Sequence, residues 1–203
     1  MRSWTWAVAG VAAGVLLLAG FRFLTVPPPA VTHHHANWAV FVDGQRLDLS
    51  AERFMEDVAA CRTSPDAIQP KDRIHLHDGN PDVVHVHHPA STWGQLLANL
   101  GMAAGSDYLF TPDGVKHFAG EGRTVKFVRN GRLFGDLSNE PVRSLDRVVI
   151  SIGTETDDDV MASQFPQVAD NAEEHNSMAD PAACMGGHEP ESFTARLRRA
   201  FVG

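Results

Sequence analysis

The hydrophobic positions of this chain follow three regimes. From Trp4 to Phe21 (WTWAVAGVAAGVLLLAGF) they run without a charge, between Arg2 and Arg22, and Pro27-Pro28-Pro29 closes the segment. Eighteen such residues at a helical rise span about 27 Å, close to the hydrocarbon thickness of a bilayer. The segment 1–26 therefore predicts a transmembrane anchor. A cleaved signal peptide is the rival reading, but Leu18-Ala19-Gly20-Phe21-Arg22 offers no clean small-x-small site.

Between 38 and 153 the apolar residues alternate in short runs or recur at helical spacing. Trp38 to Val42 reads as a strand, Asp43-Gly44 as a tight hairpin turn, and Gln45 to Leu49 as its partner. Ser50 caps an expected helix through 60, with Phe54 and Val58 inward, and Thr63 to Asp66 breaks it. A hairpin follows over 73–88. Thr92 and Gln95 form a capping box for a second helix, whose inner stripe is Trp93, Leu96, Leu97 and Leu100, closed by Gly101. Residues 107–122 read as irregular, around the turn Thr111-Pro112-Asp113-Gly114. Val125 to Val128, an Asn130-Gly131 turn and Arg132 to Gly135 form another hairpin, and Arg147 to Ile152 is the last strand.

From 154 the pattern thins into an acidic stretch, with short helices expected over 157–163 and 168–176. The chain closes on an amphipathic segment, Phe193 to Val202, in which Phe193, Leu197, Ala200 and Phe201 oppose Arg196, Arg198 and Arg199. Such a helix can pack on the domain or lie on anionic lipid, and packing is the reading adopted from sequence. The organisation is thus an anchor (1–26), a Pro/His-rich stalk (27–37), a small domain (38–153) and an acidic tail (154–203).

Charge narrows the function. The chain has 17 Lys and Arg against 25 Asp and Glu, and only Arg2 and Arg22 precede Pro27, so the rest carries a net charge of −10. No basic stripe suits nucleic acid. Arg2 inside and the acidic domain outside is the economical orientation: a single-pass protein of the cell membrane with a cytoplasmic N-terminus and an extracytoplasmic domain. In that setting Cys61 and Cys184, the two cysteines of the chain, are expected to form a disulfide. Cys184-Met185 with His188 could hold soft copper, but the bridge accounts for Cys184 more simply.

The densest chemistry lies in the 73–88 hairpin. Its sequence reads His75-Leu76-His77-Asp78, a turn-forming segment, then His85-Val86-His87-His88. Side chains two apart on a strand share a face. Pairing of 74–77 with 84–88 would therefore gather His75, His77, His85 and His87 on one face, with Ile74, Leu76, Val84 and Val86 on the other. Neutral imidazoles suit copper or zinc, and Asp78 or Asp82 could orient a ring. His88 has the opposite parity. The plain alternative is a solvated histidine face, and a pH sensor is another. The His33-His34-His35 run reads as a solvated spacer. No nucleophile elbow, P-loop or His-Glu-x-x-His motif is present, so an enzyme is not indicated.

The order of elements predicts an α+β domain, a small mixed sheet packed on one or two helices. With Val128-Arg129-Asn130-Gly131 followed by Ser144 to Ile150 as a turn before a closing strand, it resembles the β-grasp (ubiquitin-like) arrangement over roughly 38–153. The helix at 92–100 departs from the simplest form of that fold. The whole chain also looks like bacterial exported proteins carrying a His-x-His-Asp…His-x-His hairpin, a resemblance that implies no activity. The sequence reading is thus a membrane-anchored protein that binds copper or zinc through a histidine-lined hairpin. Its alternative is a surface module that binds another envelope protein.

Overall fold

The computed structural model describes residues 2–27, 32–56, 69–178 and 192–202. The chain divides into two units, Met1–Ala30 with Gly187–Gly203, and Val31–Gly186. The expected Cys61–Cys184 bridge lies outside the described residues, as do residues 57–60 of the helix expected through 60.

In the first unit, α1 (Arg2–Thr25) is continuous. Its stretch Trp6–Thr25 is long and apolar enough to cross a membrane, and its side chains are exposed, Leu16 72%, Leu17 75% and Leu18 71%. A helix that is apolar all round and uncovered along most of its length suits a lipid surround. The terminal helix α6 (Phe193–Phe201) packs on the C-terminal end of α1, where the Phe23 and Phe193 rings lie 5.2 Å apart.

The second unit is α+β. Among the described residues its main sheet has seven strands: β1 (His34–Val42), β2 (Gln45–Arg46), β3 (Ile74–His75), β4 (Val83–Val86), β8 (Thr124–Arg129), β9 (Arg132–Phe134) and β10 (Arg147–Gly153). The order is β3-β4-β1-β10-β8-β9, with β2 also on β1. At the centre β1 and β10 run parallel and every other pairing is antiparallel, so the sheet is mixed. The Asp43-Gly44 and Asn130-Gly131 turns form as expected. All four residues have positive φ (49°, 76°, 52° and 73°), the geometry of a two-residue hairpin that matches strand twist.

One sheet face carries the larger core. Ala36, Trp38, Val40, Ile74, Leu76, Val84, Val86, Val148, Ile150 and Ile152 pack there with α3 (Trp93–Asn99). Thr92 accepts from Gln95 N and Gln95 answers through Thr92 N, so the expected capping box is present. Each fully buried aliphatic contributes about 1.5–3 kcal/mol. A one-residue slip of β4 would exchange its valines for histidines, so burial of Val84 and Val86 holds the register.

Three elements differ from the sequence pattern. The helix expected from Ser50 is a single 3₁₀ turn over Glu52–Phe54, after which Met55 is extended and bridges Leu76. Residues 103–118 form a three-stranded meander, β5 (Ala103–Gly105), β6 (Tyr108–Phe110) and β7 (Lys116–Phe118), the last two inside the segment 107–122 that was expected to be irregular. Strands of three residues are too short to show a period. The described stretch after 154 carries short helices, as expected, but packs against the sheet instead of extending as a tail. Short helices α4 (Asp157–Asp159) and α5 (Ala172–Ser177), with a π turn at Val160–Gln164, lie along the second sheet face. There Val160, Val168, Met161 and Phe165 pack on Ala39, Phe41, Val128 and Val149.

Candidate metal centre

The odd-numbered positions of β1 face that second side of the sheet. Toward the C-terminal end of β1 they are apolar (Ala39, Phe41); toward its start they are His35 and Asn37, with His33 just before the strand. β1 pairs with β4 in the register His35↔His85, and β3 pairs with β4 in the register His75↔His85. His35, His85 and His75 therefore form one row across three strands. Beside them His33 and His87 stack, ring centroids 4.9 Å apart and planes 15° from parallel. His77 completes the face, its ring centroid 3.4 Å from that of His85.

The four histidines expected from strand parity are thus brought together, and His35 joins them. None of the five is solvated: His35, His75, His77, His85 and His87 are 1–4% exposed. This removes the solvated-face reading and corrects the spacer reading of His33 to His35, because β1 starts at His34, inside the interval read as stalk. The cover is α5. It brings His175 to 5.6 Å from His35 and 6.0 Å from His85, ring to ring. Parity could have disclosed His33 and His35, since they continue the alternation of β1. No local signal marked His175.

Two asparagine clamps seat α5. Asn37, fully buried, accepts through Oδ1 from the backbone N–H groups of Asn171 (3.1 Å) and Ala172 (2.9 Å), so a strand side chain caps the helix start. Its amide nitrogen donates to Asn171 Oδ1 at 2.8 Å and Asp82 O at 3.1 Å. At the other end Asn176 Oδ1 accepts from the backbone N–H of His35 at 2.8 Å and lies 2.8 Å from His35 Nδ1.

These contacts determine tautomers. A backbone N–H can only donate, so the Asn176 atom facing it is oxygen, and His35 Nδ1 must carry the proton it shares with that oxygen. In the neutral ring His35 Nε2 is then an acceptor. It lies 2.8 Å from His85 Nδ1, which therefore donates and leaves Nε2 as the unprotonated nitrogen of His85. His75 Nδ1 donates to Lys71 O at 2.6 Å, so its unprotonated nitrogen is also Nε2. His77 Nδ1 lies 2.8 Å from Asp78 Oδ2, while its Nε2 is buried with no hydrogen-bond partner among the described residues. Of the two aspartates considered from sequence, Asp78 approaches a ring. Asp82 instead pairs with Arg46 at 2.6 Å.

Burial and crowding keep His35 and His85 neutral. Burial lowers the His35 pKa to about 4, with nearby His33, His175 and His77 adding to the effect and Asn176 opposing it. His85 is pushed far below the ordinary histidine range by burial, then by His77, His35, His75 and His87. Neutral imidazole is the ligand-competent form, so His85 can act as a Lewis base at pH 7. Among the described residues His33, His85 and His87 form a donor group whose ligand atoms lie within 4.8 Å of one another. His75 and His77 flank it. His35 has both ring nitrogens engaged and acts as a support.

The loop before β10 holds the site from one side. His34 Nε2 donates to Val142 O at 3.0 Å, Leu145 N donates to His35 O at 2.9 Å, and Asn176 Nδ2 donates to Ser144 Oγ at 3.1 Å. Leu145 sits at φ +64°, a costly conformation for a branched side chain. Next to it Asp146, 2% exposed, takes a two-point contact from Arg129 at 3.0 and 2.6 Å and accepts from Asn130 and from the Arg143 N–H.

No protein-family model, curated protein or solved structure matches the chain. Function must therefore be read from the site.

Proposed function

We propose that the protein binds a first-row transition metal, copper or zinc, through this histidine face, as a membrane-anchored capture or sensing protein. The observation that carries the reading is the approach of His33, His85 and His87 to within 4.8 Å of one another through their ligand atoms. The donors are all imidazole nitrogens, which suit copper and zinc, whereas calcium and magnesium need oxygen shells. His75, His77, His85 and His87 remain the core of the ligand set, with His33 added. The Lys71 carbonyl on His75 and His35 on His85 are the outer partners that orient metal-binding imidazoles elsewhere.

The anchor supports a setting at the membrane, and the acidic domain on the extracytoplasmic side is the orientation its charge favours. The parallel pairing of the first strand with the last supports a β-grasp-like fold, with β4 and β2 sharing the free edge of β1.

Calorimetric titration of the detergent-solubilised full-length protein with Cu(II) and Zn(II), after chelator treatment, tests the proposal. Wild type should bind one of these ions tightly, and a His85→Gln/His87→Gln variant that keeps the wild-type far-UV spectrum should not. Thermal melting provides a second readout, since an ion that binds only the folded state raises Tm. Equal affinity in both proteins, or no rise in wild-type Tm, would reject the reading.

A further inference from the structure

The His35–His85 end of the histidine face lies beneath α5, which reaches it through His175 and Asn176. α5 is six residues long, and a helix so short is not stable by itself. Ala172 is its one buried residue, and the Asn171 side chain does not cap its start. Its hold on the sheet is therefore mainly polar. Asn37 caps the first turn, and at the other end Asn176 joins the His35 N–H to Ser144 Oγ.

The chain just before α5 is held differently. Val160, Met161, Phe165 and Val168 bury apolar surface on the sheet. Arg147, the first residue of β10, then donates to Val168 O at 2.6 Å and to Ala169 O at 3.1 Å. The firm attachment thus ends at Ala169, and the asparagine clamps begin at Asn171. Segments with few buried apolar contacts open at lower free energy than the core. Release of the clamps swings α5 away about Asp170 while 160–169 stays in place.

We infer that α5 is a detachable cover that controls access from solution to the His35–His85 end of the face. The cover follows from the packing; that an ion is what enters beneath it rests on the metal-binding reading above. His85 is 4% exposed, so what reaches its unprotonated Nε2 does so at a rate set by the undocking of α5. Undocking serves both directions, so loosening a clamp speeds entry and exit alike and leaves affinity nearly unchanged.

The test is carbethoxylation of the metal-free, full-length protein in detergent by diethyl pyrocarbonate, with the rate at each histidine read by peptide mass spectrometry. The reagent acylates an unprotonated imidazole nitrogen. In Asn37→Ala, which strips two hydrogen bonds from the start of α5, His85 should react faster on the order of tenfold. His117 on β7, outside the main sheet, should keep its rate. Asn176→Ala frees the other end and should give the same pattern, so a folding defect in one variant leaves the other decisive. An unchanged His85 rate in both would overturn the inference, and so would a rise shared by His117, since access would then follow unfolding of the whole domain. Stopped-flow mixing with Cu(II) or Zn(II) separates the two readings. Wild type that binds neither ion rejects metal binding and leaves the cover to the carbethoxylation result. Where an ion binds, equal binding and release rates in wild type and Asn37→Ala would overturn the cover alone.

Discussion

His35 Nε2 lies 2.8 Å from His85 Nδ1, joining strands about fifty residues apart in sequence. The pair transmits a constraint. Asn176 sets the proton on His35 Nδ1, His35 sets the proton on His85 Nδ1, and His85 is left with Nε2 unprotonated. One asparagine on α5 thereby decides which nitrogen of a buried candidate ligand can bind a metal.

Asn176→Ala should weaken metal binding roughly tenfold, as loss of an outer partner does in characterised metal sites. His85→Gln should weaken it further, and His88→Ala should leave it unchanged, because His88 has the opposite parity and hydrogen-bonds Pro89 O. Competition titrations with a chromophoric chelator rank the three. A His88→Ala variant as impaired as His85→Gln would contradict the assignment.

Asn37 is the other clamp. Asn37→Ala strips the acceptor from two backbone N–H groups at the start of α5 and should cost about 1–3 kcal/mol. The loss should be local: amides of 171–177 exchange faster while those of β10 remain protected. Exchange rising equally in both segments would mean that α5 does not open separately from the sheet.

The histidine face should make the metal-free domain sensitive to mild acid. His35 has a folded pKa of about 4 against 6.5 when unfolded, so the unfolded chain takes up the proton first. The contribution is fully present above pH 6.5 and is lost as pH falls from 6.5 toward 4, about 3 kcal/mol for this group. His85 is shifted in the same direction and extends the loss to lower pH. Urea midpoints of chelator-treated protein should fall between pH 6.5 and 5, before most carboxylates titrate. A flat midpoint across that interval would show that these rings are not buried neutral.

Arg129 and Asp146 test the support loop. Both are nearly fully buried, and removing one partner strands the other charge, so Asp146→Ala should destabilise the domain by about 3–5 kcal/mol. Because Leu145 N–H bonds the His35 carbonyl, any folded fraction should also bind metal more weakly. Urea unfolding followed by metal titration in the native baseline region separates the two effects. Wild-type stability in this variant would mean that the pair is dispensable.

Much of the candidate site is legible in the sequence because its cause is local. Period-two alternation in 74–77 and 84–88 separates imidazoles from aliphatics whatever the strands pair with, and the Asp78-Gly79 turn, with φ of 58° and 68°, lets them fold back. Positive-φ turns at Asp43-Gly44 and Asn130-Gly131, the Thr92–Gln95 box and the uncharged run of α1 are equally local. The meander of β5 to β7 was not legible, since its strands are shorter than any period. Nor was the end of the Ser50 helix, where Met55 leaves helical geometry to bridge Leu76.

The sequence by itself determined that four histidines would share a face, because side-chain alternation is a property of the single strand. Only the tertiary structure decided that this face is buried rather than wet, and that His33 and His35 extend it. Those outcomes depend on the register of β1 against β4 and on α5 docking through Asn37 and Asn176. Both are contacts between segments far apart in the chain, formed only when their combined burial exceeds the entropy of bringing them together.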